Sequence, residues 1–350
     1  MSRGPDRGLL IAALGGFAAA LLLVGVVLVI RAQGSPDTGT VAEVGSAPTS
    51  TTEPSSPAPQ SPDDGAAPTS SAGSGAPSGP VSFGAGSVAD GVRTQTGTVP
   101  DGIVQRPFTV LSPADVAPGE RLPVVVALHG LTVDSGAMSR AADWRGAVAR
   151  DRFIAVFPQG VFDSWNAGPC CPPASALGTD DIGYLDEVVR QLDTRADVDP
   201  NRRYLTGFSN GGVMTYTIAC ARPELFAAVA PMAGSNFSDC SPDAPVSLLH
   251  QHGDPDPVVP YDGRPTPSQV LSTAPFPRVP ESVAEWARSA GCSGVPARRD
   301  EGSGAVRLVW NGCSDGARVE LLTYPGNQHR WPNAPVDGLD ELLRFFGIRS

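Results

Sequence analysis

Arg203-Tyr204-Leu205-Thr206-Gly207-Phe208-Ser209-Asn210-Gly211-Gly212-Val213 leads from a strand-like run (203–206) into a helix-like run that extends from Val213 to Cys220. A serine on so sharp a strand-to-helix turn is lifted clear of the sheet, and glycines on either side let the backbone turn without a Cβ clash. The helix N-terminus behind it favours developing negative charge. The stretch reads as a nucleophile elbow, with Ser209 as nucleophile and hydrolysis through an acyl-serine as the chemistry. With 40 glycines in the chain the pattern alone is weak, so context has to decide. Gly312-Cys313-Ser314-Asp315-Gly316 repeats the pattern, but it lies between two strand-like runs (305–310 and 318–324), which is the setting of a hairpin turn.

A nucleophilic serine needs a base, and the base needs an orienting acid. On this architecture they follow in the chain order Ser, Asp or Glu, His. Of the four histidines, His129 precedes the serine, and His250 and His252 precede every acid candidate in the loop that follows them. His329, directly after a strand-like run, is the base that order leaves; His129 reads as a structural residue of its turn. The buried strand-like run 246–250 is followed by Asp254, Asp256 and Asp262, all near the strand's C-terminal end, where such sheets build their sites. Asp256 is preferred and Asp254 is the alternative; spacing does not separate them, because Asp-Pro turns also use aspartate structurally. The oxyanion donors expected are the backbone N–H of Asn210, next after the nucleophile, and that of Leu131, after the first core strand at 122–128.

These segments together resemble the extracellular poly(3-hydroxybutyrate) depolymerase and feruloyl esterase family of α/β-hydrolases. The matching pieces are Leu128-His129-Gly130, Ser164-Trp165-Asn166-Ala167-Gly168 with Cys170-Cys171, and Asp180-Asp181-Ile182-Gly183-Tyr184. They continue, in order, with Gly207 to Gly212, His252-Gly253 to Asp256, Val259-Pro260-Tyr261, and His329-Arg330-Trp331-Pro332. The resemblance implies a Ser209–Asp256–His329 triad and favours Asp256 over Asp254. It makes Trp165, Asn166 and Trp331 candidate pocket residues, and a hydroxyalkanoate polyester or a hydroxycinnamoyl-sugar ester the expected substrate class. Asn327-Gln328 departs from the glycine-rich approach to the histidine seen in many relatives, and the loop 165–178 is rich in proline and cysteine.

Residues 91–350 suit one α/β-hydrolase domain with a sizeable core. Strand-like runs at 122–128, 153–157, 203–206, 226–231 and 246–250 alternate with helix-like runs at 135–151, 180–195, 212–220, 280–290 and 336–346. The alternation predicts a mostly parallel sheet covered on both faces, with no insertion long enough for a large lid. Residues 9–30 are unbroken apolar sequence, long enough as a helix to cross roughly 30 Å of hydrocarbon. Arg3 and Arg7 precede the run and orient residues 1–8 as a short cytoplasmic tail. The competing reading is a cleaved signal peptide, whose apolar core is usually about 7–15 residues. Residues 31–90, dominated by Pro, Ser, Thr, Ala and Gly up to about Pro80, read as a disordered linker. The domain is expected outside the cytoplasm, held by the N-terminal helix or released.

All six cysteines fall in the domain, as expected for disulfides in an exported protein. Cys292 and Cys313 flank a strand and form the expected bridge; Cys170, Cys171, Cys220 and Cys240 allow three pairings, one of them vicinal. With no Cys-x-x-Cys pair or His-rich cluster, no metal or other cofactor is expected. Formal net charge is −11 and every basic residue is arginine, which argues against a nucleic-acid partner. Asp180-Asp181 reads as helix capping rather than a glycosidase dyad. The expected function is an exported serine carboxylic ester hydrolase. The rivals are an acyltransferase to a sugar or lipid hydroxyl and a non-catalytic binding protein on a hydrolase scaffold.

Overall fold

The computed structural model describes residues 83–350 apart from 102–103, 239–244, 303 and 334–335. The expected tail (1–8), the apolar run (9–30), nearly all of the linker and Cys240 lie outside the described residues. Among the described residues no helix is long and apolar enough to cross a membrane.

The strands are β1 Ser87–Ala89, β2 Val92–Asp101, β3 Val104–Pro113, β4 Leu122–Leu128, β5 Ile154–Pro158, β6 Val198–Phe208, β7 Ala228–Met232, β8 Ser247–Asp254, β9 Ser293–Asp300, β10 Val306–Asn311 and β11 Val319–Pro325. They form one sheet in the order β1-β2-β3-β5-β4-β6-β7-β8-β11-β10-β9. From β5 through β4, β6, β7 and β8 to β11 every neighbour is parallel, and the strands outside that block pair antiparallel. This is the α/β-hydrolase fold, with the expected mostly parallel centre.

Strand β4 shows why the centre is parallel. All seven of its residues are buried. Val124, Val126 and Leu128 join one core cluster with Leu185, Val188, Tyr216 and Trp286. Val125 and Ala127 face the other way, into a cluster with Ala147, Val148, Leu342 and Phe346. The side-chain period of two sends alternate residues to opposite faces, so a strand that is apolar throughout needs helices on both. Helices Asp181–Asp193, Asn210–Ala221 and Val279–Ser289 cover one face, and Trp144–Asp151 and Gly338–Phe345 cover the other.

Three expectations are corrected. The single helix expected over 135–151 is two, Ser135–Arg140 and Trp144–Asp151. The Asp143 carboxylate accepts from the Gly146 N–H at 3.0 Å and starts a new helix, which turns Trp144 fully into the core. Folded structure begins before residue 91, because β1 pairs with β2. The edge strands β2, β3 and β9 had no expected counterpart. The repeat of the elbow pattern at 312–316 does join two antiparallel strands, β10 and β11. Bridges Cys170–Cys171 and Cys292–Cys313 are present, and Cys220 is also disulfide-bonded.

Candidate active site

Ser209 stands where β6 ends and helix Asn210–Ala221 begins, with φ 56° and ψ −119°. A positive φ in a non-glycine residue costs of order 1–3 kcal/mol and persists only where its surroundings enforce it. The Ser209 N–H donates to the Met232 carbonyl at 2.9 Å, and its own carbonyl accepts from the Val213 N–H at 2.9 Å. At Gly207 the strand passes so close to the helix that a Cβ would lie 2.2 Å from the Gly211 carbonyl oxygen. The glycine is therefore a steric requirement of the turn.

Asp256 and His329 reach the same place from β8 and β11, paired in parallel with Pro325 opposite Asp254. Beyond those ends the two loops are in contact. The Gly326 N–H donates to the Asp254 carbonyl at 2.6 Å, and a Cβ on Gly253 would sit 1.8 Å from the Asn327 carbonyl. Asn327, which departs from the glycine-rich pattern, thus packs its backbone against Gly253. His329 Nδ1 lies 2.7 Å from Asp256 Oδ2, and Nε2 lies 2.8 Å from Ser209 Oγ. A carboxylate can only accept, so Nδ1 carries the proton and Nε2 is left to accept from the serine O–H.

The Asp256 side chain is buried, and Oδ1 accepts from the Val258 and Val259 N–H groups at 2.7 and 2.9 Å. Burial alone would raise its pKa, but hydrogen bonds from His252 and His329 outweigh it and hold the carboxyl well below the usual range. Asp254 is exposed and contributes its backbone carbonyl to the turn; Asp262 pairs with Arg264 at the surface. The structure brings Ser209, His329 and Asp256 together and leaves the other two acids outside.

The two expected oxyanion donors flank the serine. A Cβ on Gly130 would be 3.4 Å from Ser209 Cβ, which sets the 130–131 turn beside the nucleophile. The Gly160 N–H donates to His129 Nε2 at 2.9 Å, so it is Nδ1–H that donates to the Gly130 carbonyl at 2.8 Å. In a planar trans peptide the Leu131 N–H points opposite to that carbonyl, so His129 aims it. Burial holds the His129 pKa below its ordinary value, in keeping with a neutral ring. Asn210 is buried and clamps Trp165, accepting its N–H at 2.7 Å and donating to its carbonyl at 3.0 Å.

Two of the candidate pocket residues are corrected. Trp165 is 0% exposed: its indole N–H donates to the His129 carbonyl and its ring stacks on Tyr184, so it packs inside the fold and offers no face to solvent. Trp331 is buried against Trp144 and Phe208, and Phe208 in turn packs against the His329 ring. Asn166 uses its side-chain amide on the Thr179 carbonyl. Among the exposed large apolar side chains of the described residues are Phe162 (68% exposed) and Val133 (41%), alongside Val88, Leu177 and Val295 elsewhere in the chain. Phe162 and Val133 sit on loops after β5 and β4 that the Thr132 N–H ties to the Asp163 carbonyl at 2.9 Å. Asp180 does cap its helix, accepting from the Gly183 N–H, while Asp181 is buried in an ion pair with Arg106 at 2.6 Å.

Comparison with known proteins places the chain in a family. The Esterase family model, described as "Putative esterase", matches residues 104–318, more than half of the chain. The chain belongs to the Esterase family. Feruloyl esterase B of Piromyces equi is 28% identical over 236 residues, covering 64% of this chain and 42% of that protein. Feruloyl esterase C of Emericella nidulans is 32% identical over 196 residues, covering 54% and 62%. The chain therefore spans about two fifths of the first relative's length and somewhat under two thirds of the second's. Among solved structures, an acetyl xylan esterase from Aspergillus awamori aligns with a TM-score of 0.53 at 16% identity, over 72% of this chain and 99% of that one. At that identity the likeness is one of fold, and it is the α/β-hydrolase fold. The family match takes in Ser209 and Asp256 and ends before His329.

Proposed function

We propose that this Esterase-family protein is a serine carboxylic ester hydrolase working through Ser209, His329 and Asp256. The observation that carries the reading is the continuous row from Ser209 Oγ through His329 to Asp256, with contacts of 2.8 and 2.7 Å. Ser209 Oγ attacks the ester carbonyl while His329 Nε2 takes its proton, and Asp256 stabilises the imidazolium that forms. The Leu131 and Asn210 N–H groups hold the oxyanion; one such donor is typically worth about 2.7–4 kcal/mol of transition-state stabilisation. Collapse of the tetrahedral intermediate expels the alcohol, protonated by His329, and leaves an acyl-Ser209. Water, deprotonated by His329, then attacks the acyl group, and the acid leaves as Ser209 regains its proton.

The proposed substrate class is a hydroxycinnamoyl ester of a sugar, in keeping with the feruloyl esterase names of the relatives. Phe162 and Val133, exposed beside the oxyanion turn, would meet an aromatic acyl group. Export is part of the proposal: bridges Cys170–Cys171 and Cys292–Cys313 belong to an oxidising compartment, and the apolar run at 9–30 would hold or deliver the domain there. The test is product release from methyl ferulate, acetylated xylan and poly(3-hydroxybutyrate) by the purified chain. The reading expects ferulate release to exceed the other two; a folded protein that cleaves none of the three contradicts it.

A further inference from the structure

Two of the four histidines take no part in the proposed chemistry, yet one of them, His252, lies against its acid, and the other, His250, lies against His252. His250 and His252 occupy alternate positions on β8, so they share a face, and each is only 1% exposed. Their rings stack with centroids 5.2 Å apart. Tyr216 Oη, from the helix that follows the nucleophile, is 2.7 Å from His250 Nδ1, and His250 Nε2 is 3.0 Å from His252 Nδ1. His252 Nε2 is 2.9 Å from the Val259 carbonyl and 3.4 Å from Asp256 Oδ2.

The direction of every bond follows from the last one. The Val259 carbonyl can only accept, so His252 Nε2 carries a proton. In the neutral ring Nδ1 then accepts from His250 Nε2–H, and His250 Nδ1 accepts from the Tyr216 O–H. Burial, with a smaller effect from His252, holds the His250 pKa well below its ordinary value, in keeping with a neutral ring there. The other groups against His252 are the Tyr261 ring, 5.7 Å away, and Thr323, its neighbour on β11, whose hydroxyl is 2.9 Å from Tyr261 Oη. Neither is a carboxylate or a cation, so Asp256 is the charged group that His252 Nε2–H faces.

We propose that His252 is a positioning residue for the ester-cleaving site: its Nε2–H, donated to the Val259 carbonyl at 2.9 Å, also faces Asp256 Oδ2 at 3.4 Å and so helps hold the carboxylate for His329 Nδ1–H. Oδ1 is already fixed by two backbone N–H groups, and without His252, His329 would be left to restrain Oδ2 among the described residues. The Val259 carbonyl sets the tautomer that makes His252 a donor on that side, and His250 and Tyr216 complement it on the other. This rests on the reading of Ser209, Asp256 and His329 as the catalytic residues.

The test compares His252→Asn with His252→Gln in the full-length chain. Asparagine can still accept from His250 but is too short to put a donor at the Nε2 position, whereas glutamine can. His252→Leu is the second deletion should the asparagine protein not fold. Two readouts are taken: kcat and KM on methyl ferulate, and the downfield proton resonance of His329 Nδ1–H in histidine-labelled protein. Loss of the donor should lower kcat roughly tenfold to a hundredfold, leave KM within about twofold, and shift or broaden the resonance. Glutamine should restore both readouts. An unchanged resonance and kcat in a folded deletion variant would overturn the proposal, as would a loss that glutamine does not rescue. If wild type cleaves no ester, the functional reading fails while the resonance still decides whether His252 positions Asp256.

Discussion

Ser209 Oγ and His329 Nε2 lie 2.8 Å apart although 120 residues separate them in the chain. One arrives at the C-terminal end of β6 and the other just past the end of β11, with β7 and β8 between those strands in the sheet. Contact across that distance needs both loops at fixed heights above the sheet, and two glycines supply the clearance. Gly207 lets the helix close on β6, and Gly253 lets the histidine loop descend onto β8.

Gly207→Ala therefore disturbs the turn itself. A Cβ 2.2 Å from the Gly211 carbonyl has to push helix and strand apart, at about 1–3 kcal/mol for overpacking. The expected result is a melting temperature lower by several degrees together with slower ester turnover. Thermal unfolding followed by circular dichroism, with kcat/KM measured alongside, checks it; an unchanged protein would show that the contact relaxes without consequence.

Asp256→Asn keeps the size of the side chain and removes its charge. The imidazole loses the acceptor that fixes its tautomer, and kcat should fall by about three to four orders of magnitude. Asp254→Asn, at an exposed carboxylate outside the hydrogen-bonded row, should leave kcat within about twofold. Steady-state kinetics on the pair decides; equal losses would reassign the acid.

The chain could be read most surely where one physical demand dominated. Strand β4 is apolar along its whole length because both its faces are covered, and Ser209 announced itself through glycines that sterics require. Chain order alone led to His329. The edge was harder to see. In β9 seven of the eight residues are exposed and the other is half-buried, so its pairing with β10 leaves no apolar pattern. Strands β2 and β3 carry prolines at 100, 107 and 113, residues depleted from strands, yet they form a ten-residue ladder. Trp165 shows a different limit: a large aromatic in a motif beside the nucleophile suits a pocket wall, but its indole N–H had a backbone acceptor below the surface.

Stability should fall on acidification in two windows. Burial lowers the pKa of His250 and His129 from the ordinary 6.5, so near that pH the unfolded chain takes protons that the folded chain refuses. Their contribution is complete above about pH 6.5 and is lost as pH falls below it, by up to about 1.4 kcal/mol per unit for each. Asp256, whose pKa is depressed, adds stability that is complete above its ordinary 3.8 and is lost at lower pH. Urea unfolding between pH 8 and pH 5 should show midpoints falling below about pH 6.5; a flat profile would contradict neutral buried histidines.

The central claim is that Ser209 is a preformed nucleophile, and a fluorophosphonate probe tests it most directly. Wild type, Ser209→Ala and Ser314→Ala would be purified as full-length chains in detergent, checked for folding by circular dichroism, and labelled in parallel. The account predicts labelling of wild type and of Ser314→Ala, and none of Ser209→Ala. A folded wild type that takes no label, or label retained in Ser209→Ala, would contradict it.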